Sequence, residues 1–309
     1  MEIFESEFNC ENKTKTVLAL GNFDGVHVGH MRLLDEAKKY AQNSGLSFGV
    51  YTFSDSPKFR NANHSLLTDI QTRLSFLQYK AQPDFVYLEK FDDVKDFEPA
   101  EFVEYIVSKF DAAVCFCGEN FSFGKNASGN CNDLVSLMQS LGRTAVAVPV
   151  LEYEGEAVSS TRIRKLLEDG KAEEAQALLL EPYCFTSRVV HGAHLGHKLG
   201  FPTINQIIPS ELVAPQYGVY ATVVIVDARE YLGVTNFGIK PTVSDDNTPV
   251  AETYIIDYNS DAYDKLVTLC FCKKLRGEKK FSSLDELIQN ISNNVQETKD
   301  FFNEKFKNI

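Results

Sequence analysis

Two histidines three residues apart, His27 and His30, stand in a glycine-studded string, Gly21-Asn22-Phe23-Asp24-Gly25-Val26-His27-Val28-Gly29-His30. The string directly follows an apolar run, Thr16–Leu20, and opens a stretch with helical spacing. A strand–loop–helix turn at the carboxyl end of a parallel sheet is where such sheets bind ligands. A helix start presents free backbone N–H groups and partial positive charge, which suits phosphate. Gly21, Gly25 and Gly29 let the backbone turn tightly and approach a ligand. Asn22 and Phe23 lie inside the same loop. The two imidazoles can donate hydrogen bonds to phosphate oxygens as charge develops during transfer. Alone, a His-x-Gly-His string is as readily a pair of histidines at a helix start; the strand-to-helix context favours phosphate chemistry. A second string lies far downstream, Ser159-Ser160-Thr161-Arg162-Ile163-Arg164. It places hydroxyls and guanidinium groups at another helix start, where Arg grips phosphate in a planar, charge-assisted way. By itself that segment is a helix cap with solvated arginines. Two phosphate-gripping strings in one α/β unit outweigh the plainer reading.

A third stretch runs Gly192-Ala193-His194-Leu195-Gly196-His197-Lys198-Leu199-Gly200-Phe201-Pro202-Thr203-Ile204-Asn205. Its glycine-rich backbone, with Gly192, Gly196 and the cation Lys198, can wrap phosphates. The Thr203 hydroxyl and the Asn205 carbonyl are suitable oxygen ligands for Mg²⁺. His191, His194 and His197 are spaced by threes, but Gly192 and Gly196 break any helix that would align them on a metal. Glu252, taken alone, reads as a solvated carboxylate at a strand end.

These strings need elements to hold them. Up to about residue 182, strand-like runs at Thr16–Leu20, 46–53, 85–88, 112–117 and 144–150 alternate with helical runs at 29–42, 68–80, Pro99–Phe110 and 133–141. Two more helices follow at about 161–169 and 171–180, with Gly170 as the stop between them. Alternating strands and helices imply right-handed crossovers and a parallel, Rossmann-like sheet covered on both faces. After Pro182 the runs at 189–190, Gly218–Val226, 231–236, 252–257 and 266–272 read as strands separated by Gly, Pro, Asn and Asp clusters. That pattern points to an antiparallel β-barrel or sandwich, closed by an amphipathic terminal helix at 284–306. The expected domains are therefore 1–182 and 183–309.

At 309 residues, 44% of them hydrophobic and 24% charged, the chain has apolar material for two cores. A net charge of -12 excludes general nucleic-acid binding, which needs Lys and Arg across many phosphates, but not the binding of one nucleotide. The first 12 residues are acidic and lack the apolar core of a signal peptide, and no stretch has the length of a membrane span. Seven scattered cysteines, two pairs of them spaced Cys-x-Cys (Cys115/Cys117 and Cys270/Cys272), read as buried reduced thiols in a cytoplasmic setting.

The first and second strings resemble the adenylyltransferase module of bacterial bifunctional riboflavin kinase/FAD synthetases, as does Gly118-Glu119-Asn120-Phe121-Ser122-Phe123-Gly124. The third resembles the riboflavin kinase module of the same family, whose signature reads Gly-Phe-Pro-Thr-x-Asn. That likeness continues in 236–242, in Glu252-Thr253-Tyr254-Ile255-Ile256-Asp257 and through Leu275, Arg276 and Phe281. The resemblance implies an FMN adenylyltransferase domain over 1–182 and a riboflavin kinase domain over 183–309. It implies that His27 and His30 bind ATP phosphates and stabilise the transition state. Arg162 would hold the departing pyrophosphate, with Ser159, Ser160 and Thr161 beside it. Asn120, Phe121 and Phe123 would line the flavin pocket, and Arg276 would contact flavin in the kinase module. Thr203 and Asn205 would bind magnesium–ATP, and Glu252 would be the base that deprotonates the ribityl 5′-hydroxyl. The implied substrates are ATP, riboflavin and FMN, the product FAD and the cofactor Mg²⁺. An alternative is an FMN adenylyltransferase whose second module binds flavin without phosphorylating it.

Departures from the family pattern cluster outside the central motifs: 54–57, 180–183, Ser187, His197, 262–264 and Asn294. Loss of an Arg at His197 removes a permanent positive charge near the phosphates. Asp264 in place of glycine strains any turn that needs positive φ there. Both modules are nonetheless expected to be active.

Overall fold

A computed structural model describes residues 1–5, 15–55, 65–192, 200–239 and 248–307. The chain divides into two compact units, Met1–Ser160 and Thr161–Ile309.

The first unit is built on six parallel strands: β1 (Glu2–Glu5), β2 (Thr16–Leu20), β3 (Ser47–Phe53), β4 (Phe85–Glu89), β5 (Ala112–Gly118) and, after two short strands named below, β8 (Thr144–Val148). Their spatial order is β1-β4-β3-β2-β5-β8. Every residue of β2 is buried, as a central strand covered on both faces requires. From β2 the chain moves outward through α1 (Val28–Ser44) to β3 and then β4. It passes α2 (Ile70–Phe76) and a π-helical turn (Leu77–Ala81) on the way, then α3 (Phe91–Val94) and α4 (Pro99–Phe110) before returning to β5 on the other side of β2. The direction of winding therefore reverses between β2 and β5. Outside the carboxyl ends of those two strands lies the crevice where open α/β sheets take their ligands. A ribbon of β6 (Ser122–Phe123) with β7 (Gly129–Asn130), then α5 (Cys131–Ser140), leads on to β8. A second ribbon pairs β9 (Glu152–Tyr153) with β10 (Glu156–Ala157).

The sheet's helices are held by ordinary local chemistry. In α1 the apolar residues Leu33, Leu34, Ala37 and Ala41 recur at helical spacing and are buried. Gly45 ends the helix at φ 66°, a left-handed conformation natural to glycine. Pro99 at the first position and a Glu98/Glu101 capping box start α4. Cys115 and Cys117 are buried, free thiols on β5, and burial pushes the Cys117 thiol up to about 12.

The second unit begins with two helices, α6 (Ser160–Glu168), whose first residue belongs to the first unit, and α7 (Ala172–Leu178). It continues as a closed antiparallel barrel of β11 (Tyr183–Val190), β12 (Thr203–Ile207), β13 (Gly218–Val226), β14 (Arg229–Ile239), β15 (Pro249–Ile255) and β16 (Leu266–Arg276). The barrel order is β11-β12-β15-β14-β13-β16, and β16 pairs back onto β11. Phe185, Phe237 and Phe271 fill the interior, as alternation along each strand demands. Among them runs a ladder of buried hydroxyls: Thr222 Oγ1 lies 2.9 Å from Thr235 Oγ1, which lies 2.9 Å from Thr253 Oγ1. Each hydroxyl finds its partner inside the barrel, so none is left unsatisfied. The terminal helix α8 (Leu284–Lys307) packs apolar residues, Val295 and Phe302 among them, on the outer face.

The architecture is the one expected: a parallel α/β sheet, then a barrel with a terminal helix. The sequence pattern does not show β1, β12, most of β11, the short helix α3 or the two-residue ribbons β6–β7 and β9–β10. The contact boundary at 160 lies before α6 and α7, whereas the change in sequence character comes after them, at 182.

Candidate active sites

The glycine–histidine loop leaves the carboxyl end of β2. Its backbone is strained: Phe23 (φ 50°), Gly25 (φ 81°) and Val26 (φ 38°) all take positive φ. A bulky residue holds such a conformation only where its surroundings over-determine it. Here Phe23 and Val26 are pinned by nearly complete burial. Asp24 is buried beneath the loop, and its Oδ1 accepts from the N–H groups of Leu67 (2.9 Å) and Thr68 (3.2 Å). Gly25 N–H donates to Thr68 Oγ1 at 3.2 Å. Ser160 Oγ donates to Asp24 O at 2.9 Å, so the start of the downstream hydroxyl string is tied to this loop.

His27 is the N-cap of α1, and its Nδ1 accepts from His30 N–H at 3.2 Å. The two imidazoles stack with centroids 3.6 Å apart and planes 14° from parallel. Phe23 meets His30 edge-on at 5.3 Å. A Cβ on Gly29 would sit 3.2 Å from His27 Nδ1, so glycine is what lets the ring fold back over the helix start. The paired rings thus stand at a helix N-terminus, where the partial positive charge is concentrated. Asn120 and Phe121 follow Gly118 at the carboxyl end of β5, the strand beside β2. Phe121 stacks on Phe123 with centroids 5.6 Å apart and planes 15° from parallel. Asn120 is exposed and Phe121 half-buried, an aromatic surface open to a flat ring. The two loops therefore flank the reversal between β2 and β5. Gly21 packs beside the Phe23 ring, and Asn22 follows it. Ser159 ends the first unit's approach to α6, and Thr161 and Arg162 occupy the first turn of α6 in the second unit.

Sequence reasoning missed the residue that braces this loop. Arg73 of α2 is buried, and its guanidinium donates to Asn22 O (2.8 Å), Asn22 Oδ1 (3.3 Å) and Phe53 O (2.6 Å). Burial lowers its pKa, while nearby Asp24 and Asp69 act the other way. Nothing local marks Arg73, because its partners lie 51 and 20 residues away. Arg73→Leu would leave these carbonyls without a donor and the buried Asp24 without its cation. It is expected to destabilise the unit by about 3 kcal/mol, read from urea unfolding.

The second cluster lies on the outer face of the barrel. Asn205 on β12 faces Glu252 on β15, and Glu252 faces Asn236 on β14, so the three form a row across adjacent strands. Thr203 Oγ1 donates to Glu252 Oε1 at 3.0 Å. That bond uses the hydroxyl proton and leaves the Thr203 oxygen lone pairs available. The Thr203 hydroxyl, the Asn205 amide oxygen and the Glu252 carboxylate make a set of hard oxygen donors, which suits Mg²⁺. Asn236 was not named as a site candidate from sequence; only the pairing of β14 with β15 sets it beside Glu252. Gly192 packs against the Asn205 amide, and a Cβ there would collide with it. Gly192→Ala is expected to displace that amide and weaken the binding of magnesium–triphosphate at this cluster about tenfold, roughly 1.4 kcal/mol. Calorimetric titration of the variant and the unaltered chain would check this. Gly196, His194, His197 and Lys198 lie outside the described residues. His191 stacks on Tyr263 with centroids 4.3 Å apart.

The family model for FAD synthetase matches residues 9–162, and that for riboflavin kinase matches residues 179–302. A bifunctional riboflavin kinase/FMN adenylyltransferase of Haemophilus influenzae is 32% identical over 93% of this chain and 94% of its own length. The Bacillus subtilis protein of the same description is 29% identical over 94% of each. This chain belongs to the bifunctional riboflavin kinase/FMN adenylyltransferase family. The crystal structure of a macrolide-efflux protein from Streptococcus pneumoniae superposes with a TM-score of 0.87 at 27% identity, covering 97% of this chain and 99% of that one. That likeness carries the fold; membership in the bifunctional family rests on sequence.

Within that family frame two departures take physical form. Asp264 adopts φ 61°, the left-handed conformation that a glycine holds without strain. Its carbonyl accepts from Arg188 Nη1 at 2.7 Å. Asn294 is buried and its Oδ1 accepts from Arg276 Nε at 3.2 Å, so the bond to Arg276 is kept with a neutral acceptor. The Arg276 guanidinium lies 5.5 Å from the Phe281 ring centre, and partial burial lowers its pKa.

Proposed function

We propose that this chain phosphorylates riboflavin to FMN with ATP and adenylylates FMN to FAD with a second ATP, releasing pyrophosphate. The presence of both family models on one chain carries the reading, supported by relatives matched along nearly their whole length. Adenylyl transfer is assigned to residues 1–182 and phosphorylation to residues 183–309.

In the first reaction a ribityl 5′-hydroxyl oxygen attacks the γ-phosphorus of ATP, and ADP leaves. Glu252 takes the hydroxyl proton, with its carboxylate oriented by Thr203. Thr203 and Asn205 are the residues that would hold Mg²⁺ with the triphosphate, and the bound ion would offset phosphate charge. Gly192, with Gly196 and Lys198, is assigned to the phosphates, and Arg276 to the flavin. In the second reaction an FMN phosphate oxygen attacks the α-phosphorus of ATP in line. No protein nucleophile is required, so catalysis is positioning and charge stabilisation. His27 and His30 donate to the phosphate oxygens from the start of α1. Gly21, Asn22, Phe23, Gly25 and Gly29 shape the loop around them. Ser159, Ser160, Thr161 and Arg162 serve the departing pyrophosphate. Asn120, Phe121 and Phe123 receive the flavin ring. The cytoplasm is the proposed location, since both reactions consume ATP.

The deciding experiment incubates the protein with riboflavin, ATP and magnesium and resolves the flavins by chromatography. FMN followed by FAD is expected. If supplied FMN became FAD while riboflavin stayed unchanged, only the adenylyltransferase assignment would survive.

A further inference from the structure

The barrel closes where its first strand, β11, meets its last, β16. On that seam Cys184 faces Cys270 in register. Val189 N–H donates to Lys265 O at 3.0 Å, and the same register sets 189 opposite 265. Hydrogen-bonded pairs therefore fall on the odd positions of β11, and Cys184–Cys270 is a non-hydrogen-bonded pair. In such pairs the Cα atoms lie about 4.5 Å apart, within the roughly 4.4–6.8 Å spanned by disulfides. The next pair of this kind on the same face, Thr186 and Thr268, shows how close the side chains come: their Oγ1 atoms are 2.7 Å apart. Both cysteines are free thiols, Cys184 half-buried and Cys270 buried. A thiol–thiol hydrogen bond with Cys184, and then burial, hold the Cys270 pKa well above the usual thiol range.

We propose that Cys184 and Cys270 are an oxidation site, forming a reversible disulfide across the barrel seam when the protein meets a hydroperoxide. The more exposed Cys184 reacts first. Its thiolate attacks a peroxide oxygen, an S–O bond forms, the O–O bond breaks, and the departing oxygen leaves as water after taking a proton. The Cys270 sulfur then loses its proton and attacks the Cys184 sulfur; the S–S bond forms, the S–O bond breaks, and a second water leaves. Two thiols are oxidised and one hydrogen peroxide is reduced to two waters. The high pKa of Cys270 slows the second step, and its position directly opposite Cys184 offsets this. The cross-link joins residues far apart in sequence, so it restricts the unfolded chain and should raise the barrel's unfolding midpoint by about 5 °C. Cys184 is at the opposite end of β11 from Val190, the residue that faces Asn205, so oxidation leaves the phosphorylation cluster in place.

The test treats the reduced full chain with hydrogen peroxide and maps tryptic peptides without reductant. The expected product links the peptide bearing Cys184 to the one bearing Cys270 and Cys272, with loss of two hydrogens, and dithiothreitol reverses it. Cys272→Ser should keep the link; Cys184→Ser and Cys270→Ser should each abolish it. A link that survives Cys270→Ser or disappears in Cys272→Ser would overturn the assignment. So would Cys184 ending as a sulfinic acid with no link in the unaltered protein. Should Cys270→Ser fail to fold, the Cys184→Ser and Cys272→Ser results decide the matter together.

Discussion

His30→Ala is expected to slow FAD formation from FMN and ATP about 100- to 1,000-fold, the loss typical of one aimed donor to developing charge. Formation of FMN from riboflavin should stay within about twofold, because the phosphorylation cluster is built from other strands. His30 is the better probe of the pair. His27 caps α1, so its removal would weaken the helix start as well as the chemistry. His30 accepts no capping bond; its backbone supplies the donor, which alanine keeps. What alanine removes is the ring, with its stack on His27 and its edge contact to Phe23. Those ring contacts are worth about 1 kcal/mol of stability, far less than the expected loss in rate. His30→Gln keeps a side-chain donor and should recover part of the activity. The measurement is the initial rate of FAD formation, with thermal unfolding as the control. Equal damage to both reactions would show that the two-site assignment is wrong.

The second large effect is the mirror image. Glu252→Gln should reduce FMN formation about 100- to 10,000-fold, the range for loss of a positioned base, and leave adenylylation of supplied FMN intact. Gln is chosen because its side-chain oxygen can still accept from the Thr203 hydroxyl, so the bond at 3.0 Å survives while the charge and the proton acceptor are lost. Glu252 stands in a row with Asn205 and Asn236 fixed by backbone pairing, so the substitution should leave the barrel folded. If Glu252→Gln kept full kinase activity while Thr203→Ala lost it, the carboxylate would be a ligand-orienting group rather than the base. The kcat profile against pH would then lose no limb in the variant.

Much of the site was legible because it is local. The string from Gly21 to His30 carries its own turn and helix start directly behind a strand, and its glycines stand where positive φ or a close ring contact demands them. The same holds for Asp264, whose left-handed backbone follows from its place in a turn. Thr203 and Asn205 were legible as residue types, but not the strand that carries them. β12 is short and follows a glycine-rich stretch of sequence, so it shows little periodicity of its own. β1 was invisible for a related reason: Glu2-Ile3-Phe4-Glu5 is too short and acidic to announce a strand, and only pairing with β4 makes it one.

By itself the sequence determined which residue types are suited to phosphate, the alternation that requires a parallel sheet, and the change to antiparallel strands near 182. The tertiary structure alone decided that the two N-terminal loops flank the reversal between β2 and β5, that Arg73 braces Asn22 and Phe53, and that Asn236 joins Asn205 beside Glu252. The difference is one of range. Spacing within a dozen residues encodes a turn or a helix face, because neighbours along the chain share a backbone. Strand order, register and the partners of a buried charge are set only when distant segments pack together, and no short string records them.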